Sequence, residues 1–177
     1  MKILISGTGS GLGKYLYGMF PAADGIMRST SLEEYSNKKY DVIIHCAATH
    51  SVGTSNQELS RFVNDNLFLT KRLLDFSHQR FIFVSTVDVY PCGSSGKEDL
   101  KIKLDELQGG YSSTKLMAES LVLTYGRNPL ILRPSAMLGV NSHANSLIRM
   151  FTDEQCVLSL SGASSFNYIL HEDVGGF

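Results

Sequence analysis

Met1-Lys2-Ile3-Leu4-Ile5-Ser6-Gly7-Thr8-Gly9-Ser10-Gly11-Leu12-Gly13 opens the chain. A short apolar run over Lys2–Ser6 meets a glycine-rich turn, and a helical pattern over Leu12–Phe20 follows directly. Strand, glycine turn and helix in that order are the context a dinucleotide fingerprint requires. Glycine permits the tight turn and lets backbone N–H groups approach a pyrophosphate, whose charge is favoured at a helix N-terminus. On this reading Gly7, Gly9, Ser10, Gly11, Leu12 and Gly13 contact the cofactor. The plain alternative is a flexible strand-to-helix connection.

Outward from the turn, short apolar runs rich in β-branched residues alternate with helical segments. The runs are Gly25–Arg28, Asp41–Cys46, Arg80–Ser85 and Leu130–Arg133. The helices between them are Ser31–Ser36, Gln57–Ser77 and Ser112–Tyr125. That alternation predicts βαβ units on a parallel sheet, an α/β fold of the doubly wound Rossmann type. A long excursion from Tyr90 to Gly110 carries several glycines, Pro91 and several charges, and loops of that length are often functional.

The second strand ends at Met27-Arg28-Ser29-Thr30, without the carboxylate that normally accepts the adenosine ribose hydroxyls of NAD. Arg28, followed by the hydroxyl of Ser29, suits a 2′-phosphate, so the cofactor is read as NAD(P) with NADP preferred over NAD. The alternative is an ordinary solvated surface charge.

With 177 residues and 43% hydrophobic content, the chain is long enough for one sizeable core and too short for two ordinary domains. Residues 1–177 are therefore read as a single domain. Sixteen basic residues against 17 acidic, with no basic cluster, give no electrostatic footprint for nucleic acid or an anionic membrane. The N-terminal apolar run is too short for a signal peptide, and no stretch reaches membrane-spanning length. Three cysteines, Cys46, Cys92 and Cys156, lack metal-type spacing and suit reduced thiols in a cytoplasmic protein. No metal site is expected.

Tyr111 and Lys115 stand four residues apart on one face of a predicted helix. A phenol titrates near ~10 in water, and an adjacent ammonium favours its ionised form. Such a tyrosine exchanges a proton with a carbonyl or alcohol oxygen while hydride moves to or from a nicotinamide. Alone, this spacing is also that of an exposed helical pair.

The whole array resembles the extended short-chain dehydrogenase/reductase family, the NAD-dependent epimerase/dehydratase group acting on sugar nucleotides. Asp41-Val42-Ile43-Ile44-His45-Cys46-Ala47-Ala48 is similar to the family strand ending in His-x-Ala-Ala. Phe83-Val84-Ser85-Thr86-Val87-Asp88-Val89-Tyr90 resembles the segment that carries a catalytic serine or threonine four residues before its tyrosine. Tyr111-Ser112-Ser113-Thr114-Lys115-Leu116-Met117-Ala118-Glu119 is similar to the catalytic helix. Leu132-Arg133-Pro134 with Gly139, and His171-Glu172-Asp173-Val174, resemble the later elements.

The resemblance implies that Tyr111 is the acid/base, that Lys115 lowers its pKa and binds the ribose, and that Thr86 bonds the substrate oxygen. It implies that Asn66 supports helix geometry or a proton path, while Cys46, Ala47, Ala48, Ser85 and Pro134 line the cofactor. For His45, Asn66 and His171 structural hydrogen bonding is preferred over direct chemistry. Family dehydratases place Asp-Glu directly after the threonine, whereas Val87-Asp88 stands here, so elimination of water is not expected.

The chain departs from the family in three places. Ser10 takes the position of a middle glycine. About a dozen residues separate Arg28 from Asp41, too few for the family's extra strand and helix, so one sheet edge is expected to be reduced. The family's C-terminal substrate domain is expected to be largely missing, with 135–177 a remnant of it and Asn141–Ser165 a loose or reorganised part of that remnant. The implied function is hydride transfer on a nucleotide sugar, or another small carbonyl or alcohol substrate, by an NAD(P)-dependent oxidoreductase or epimerase. The alternative is a catalytically incomplete or regulatory dinucleotide-binding module. A homodimer through a four-helix bundle of the two long helices is implied as well.

Overall fold

The computed structural model describes residues 1–50, 56–91, 97, 100–107, 109–158 and 161–177. Five strands, β1 (Ile3–Ser6), β2 (Asp24–Ile26), β3 (Lys39–His45), β4 (Ser77–Val84) and β5 (Leu130–Leu132), form one sheet. All its pairings are parallel, in the order β2-β1-β3-β4-β5. The helices of this part are α1 (Gly11–Met19), α2 (Glu33–Ser36), α3 (Asn56–Phe62), α4 (Leu69–Leu74) and α5 (Gly109–Tyr125). From β1 the chain winds outward to β2, then crosses back to place β3 on the other side of β1. The strand order reverses between β1 and β3, and in open parallel sheets ligands bind at such a switch point beyond the strands' carboxyl ends.

Neighbouring residues of each strand point to opposite faces, and both faces are covered. On one side Leu4, Ile43, Phe81 and Phe83 pack with Leu73, Ala118 and Val122 of α4 and α5. On the other, Ile3, Ile5, Ile44 and Val84 pack with Leu12 and Leu16 of α1. Continuous apolar runs therefore make these strands central, because neither face is left to water.

The reduced edge is β2, three residues long and ending at Ile26, so Arg28 lies beyond the strand rather than within it. The helix read over Gln57–Ser77 is α3, a π-helical turn over Val63–Phe68, and α4. Ser77 belongs instead to β4, which starts three residues before the expected Arg80: His78 is buried there, bonded to the Phe76 carbonyl and the Arg127 amide. A second, two-stranded parallel sheet pairs β6 (Ala136–Leu138) with β7 (Tyr168–Leu170), and α7 (His171–Gly176) follows. Within the stretch expected to be loose or reorganised lies α6 (Ser146–Thr152), capped by the Asn145 side chain on the Ile148 amide. Cys92 and much of the Tyr90–Gly110 excursion lie outside the described residues.

Arg133, just past β5, makes a two-point contact with Glu119 of α5 at 3.0 and 2.6 Å and donates to the Tyr90 hydroxyl at 2.7 Å. Glu119 is buried, and its carboxylate holds the guanidinium well above its ordinary pKa. A paired, hydrogen-bonded charge of this kind fixes geometry. Here it ties α5, the β5 exit and the turn after Thr86 into one frame.

Candidate functional site

A cavity of about 820 Å³ opens beyond the carboxyl ends of the strands, within the range of small-molecule sites. Its wall includes Gly7, Gly9, Ser10, Gly11, Leu12, Gly13, Arg28, Cys46, Ala47, Ala48, Ser85 and Pro134. Thr86, Tyr111 and Lys115 line the same cavity. Of the residues assigned to catalysis or to the cofactor, Ser29 and Asn66 are not part of this wall.

The glycine turn is built by close approach. Gly7, with φ of +81°, sits where a Cβ would lie 2.8 Å from the Ala47 amide nitrogen, so β1 and β3 end side by side. At Gly13 a Cβ would lie 2.4 Å from the Gly7 carbonyl oxygen, which brings α1 down onto the turn. Ser10 has an extended backbone that any residue adopts, and the positive φ of +54° falls on Gly11. That is why serine is tolerated in place of the middle glycine. A Cβ on Gly9 would meet nothing within 4 Å, leaving open space on that side of the turn. The Gly11 amide donates to the Asn141 carbonyl at 2.8 Å, and His143 lies against Ser10 and Gly11. The turn thus presents a donor to an oxygen acceptor at a helix N-terminus, as a phosphate-binding turn does.

A relay of hydrogen bonds sets the neighbouring strand ends. The Ala47 amide donates to Ser6 Oγ at 3.3 Å, and Ser6 Oγ lies 2.6 Å from His45 Nδ1. His45 Nε2 lies 2.8 Å from Thr70 Oγ1, whose hydroxyl donates to the Asn66 carbonyl at 2.6 Å. Because Thr70 spends its proton on that carbonyl, His45 carries its hydrogen on Nε2 and accepts from Ser6 at Nδ1. Asn66, also buried, bonds the amide and the carbonyl of Thr49 and the Thr114 hydroxyl. His45 and Asn66 thereby join β1, β3, the π-helical turn and α5.

Burial, then the charge of Lys115, pushes the His45 pKa down to about 3. The unfolded chain takes up that proton near ~6.5, so below that pH the unfolded state binds more protons than the folded one. Stability therefore falls on acidification from pH 6.5 toward 3, by up to about 1.4 kcal/mol per pH unit from this residue. Chemical denaturation midpoints measured across that range check this, and a flat profile between pH 6.5 and 4 contradicts it.

Tyr111 projects from the start of α5 and shares a side-chain hydrogen bond with Thr86. Thr86 also accepts from the Asp88 amide at 3.2 Å. The phenol is pushed up to about 12, by burial first and by the negative charge of Asp88 second, with the Thr86 bond opposing both. The expectation that Lys115 draws it toward neutrality is not met here. Lys115 is buried, donates to the Val84 carbonyl at 2.6 Å and lies 4.0 Å over the Phe83 ring. Burial lowers its own pKa to about 7.

Several wall residues carry no local sequence signal: Asp65, Phe68, Leu69 and Arg72 from the π-helical turn and α4, and His143 from the C-terminal part, whereas His171, read from the sequence as part of a late family element, lies in the wall too. His171 is buried, with Gly139 packed against its ring, and its Nδ1 has no hydrogen-bond partner among the described residues. Among those residues no cluster of His, Cys, Asp or Glu is placed to hold a metal, and no helix is long and apolar enough to cross a membrane.

Residues 23–174 match the model of the NAD dependent epimerase/dehydratase family. The chain belongs to that family. It is 26% identical over 173 residues to dTDP-D-glucose 4,6-dehydratase of Dictyostelium discoideum, covering 84% of this chain and 40% of that protein. To the human dTDP-D-glucose 4,6-dehydratase it is 28% identical over 153 residues, covering 79% of this chain and 43% of the relative. The chain thus spans about two fifths of the length of these family members. The family fold is matched by the structure of UDP-glucuronic acid 4-epimerase from Bacillus cereus in complex with UDP-glucuronic acid and NAD. Its TM-score is 0.79 at 20% identity, over 99% of this chain and 71% of that one.

Proposed function

We propose that the cavity binds a nicotinamide dinucleotide and that Tyr111, Thr86 and Lys115 serve hydride chemistry at a carbinol or carbonyl carbon of a nucleotide sugar. The observation that carries this reading is that the glycine turn and the Thr86–Tyr111 pair share one cavity. The open side of Gly9 and the donor at Gly11 fit a pyrophosphate, which would take over the Gly11 amide from Asn141. Gly7 to Gly13, Cys46 to Ala48, Ser85 and Pro134 would hold the dinucleotide. When bound, it supplies or accepts the hydride.

The residues of the chain handle the proton. A phenol held at about 12 keeps its hydrogen, so Tyr111 acts first as donor to a carbonyl oxygen as hydride arrives at the adjacent carbon. Thr86, bonded to Tyr111, positions that hydroxyl and offers its own to the same oxygen. Lys115, near neutrality, is suited to return the proton to the phenolate, its ammonium turning from the Val84 carbonyl. Neither of the two residues after Thr86 is a glutamate, and the proposed chemistry is reduction or epimerisation rather than loss of water. Residues 135–177 supply part of the substrate side of the cavity through Ser135, Met137, His143 and Asn145.

A second reading, a dinucleotide-binding module without turnover, is favoured by Lys115 donating to the Val84 carbonyl and having no part in the pKa shift of Tyr111. Assaying the chain with NADH or NADPH against a panel of 4-keto and 4-hydroxy nucleotide sugars separates the two. Conversion of any member supports the enzyme, and cofactor binding with no conversion across the panel supports the module.

Apolar side chains stand exposed on both helical segments proposed to dimerise: Leu59 on one, Met117 and Leu123 on α5. A homodimer burying them as a four-helix bundle sediments at twice the chain mass, and Leu123→Glu shifts it to monomer. A single monomeric species for the unaltered chain would refute the dimer.

A further inference from the structure

Where β2 leaves the sheet, two charges of opposite sign face the cavity together. Arg28 NH2 lies 2.9 Å from Asp65 Oδ2 and 3.2 Å from Thr49 Oγ1, and the Thr49 hydroxyl donates to the same carboxylate oxygen. Arg28 and Asp65 both line the cavity, as do Ile26 at the end of β2 and Met27 just after it. Asp65 does not reach this place by chance of a mobile surface chain. The next residue, buried Asn66, is clamped to both backbone polar groups of Thr49, so the carboxylate, the hydroxyl and the guanidinium are held as a unit.

We infer that Asp65 supplies the carboxylate missing from the end of β2, accepting the adenosine ribose hydroxyls, with Arg28 as its clamp, so that the cavity selects the dinucleotide lacking a 2′-phosphate. This rests on the proposal that the cavity binds a dinucleotide. A carboxylate offers about four acceptor positions, and the described contacts of Asp65 use only one of its oxygens. Ribose hydroxyls can donate to it without breaking the Arg28 pair. A 2′-phosphate reaching for Arg28 meets like charge one guanidinium away. Binding it would strip Asp65, whose side chain is 29% exposed, of its cation. The second cation in this part of the wall, Arg72, is itself held by Glu33 at 2.8 Å. Read from sequence alone, Arg28 favours NADP; paired with Asp65, it favours NAD.

The test is a titration of the unaltered chain, Asp65→Asn, Asp65→Ser and Arg28→Gln with NADH and with NADPH, followed by nicotinamide fluorescence, with thermal melts to confirm folding. The unaltered chain should bind NADH at least about tenfold more tightly than NADPH, and either Asp65 variant should narrow that ratio by about tenfold. Arg28→Gln should leave NADPH affinity within about twofold, since no phosphate contact is lost. Tighter NADPH binding by the unaltered chain, or a ratio unchanged in the Asp65 variants, overturns the inference while leaving dinucleotide binding intact. If the Asp65 variants do not fold, a marked loss of NADPH affinity in Arg28→Gln overturns it. Binding of neither dinucleotide overturns both the inference and the reading beneath it.

Discussion

On the proposed function, Tyr111→Phe is expected to lower turnover by about 10²–10⁴-fold, the range that a positioned general acid contributes, with NADH affinity staying within about twofold. The change removes one oxygen and leaves the ring between its neighbours Phe62 and His50, at centroid distances of 6.5 Å from each. Loss of activity without loss of binding is therefore the signature of the missing proton. A companion, Thr86→Val, removes the hydroxyl bonded to Tyr111 and is expected to act in the same direction with a smaller effect. Steady-state rates on any nucleotide sugar that the unaltered chain converts check both. Full turnover in Tyr111→Phe would mean that the phenol does not carry the proton.

Gly13→Val is the change expected to cost most in stability. Its Cβ would lie 2.4 Å from the Gly7 carbonyl oxygen, 2.7 Å from the Gly7 carbonyl carbon and 3.0 Å from the Ser6 carbonyl oxygen. All three are backbone atoms, so the clash is relieved only by lifting α1 from the end of β1. Overpacking against an unyielding backbone costs about 3 kcal/mol or more, roughly 6–12 °C in Tm for a domain of this size. NADH binding is lost with it, because the turn and the helix N-terminus separate. Gly18→Ala, on the same helix with nothing within 4 Å of its Cβ, is the control. It should raise stability by about 0.5–1 kcal/mol and leave binding unchanged. Calorimetric melts of the two variants beside the unaltered chain test the contrast, and equal melting temperatures would contradict it.

How far the sequence carries can be judged from particular residues. Gly7 to Gly13 are readable because a strand, a turn and a helix adjoin in the chain, and the close approaches at Gly7 and Gly13 and the positive φ at Gly7 and Gly11 all fall on glycines. Tyr111 and Thr86 were readable through spacing against a known pattern. The partners of Arg28 were not, since Asp65 lies 37 residues away and nothing local marks it. The direction of Lys115 was hidden for a related reason. Helical spacing places it on the face of Tyr111, but whether its ammonium reaches the phenol depends on the Val84 carbonyl at the end of β4. In the C-terminal part, β6 and β7 have three residues each and form a sheet only by pairing across 29 intervening positions, below what apolar periodicity reveals.

Amide hydrogen exchange of the chain with and without NADH addresses the central claim directly, because it reports both binding and its location. Protection should appear at the glycine turn around Gly9 to Gly13 and at the end of β4 around Ser85 and Thr86, with little change along α6. An exchange pattern that NADH leaves unaltered at the turn, or protection confined to other parts of the chain, would contradict a dinucleotide site in this cavity.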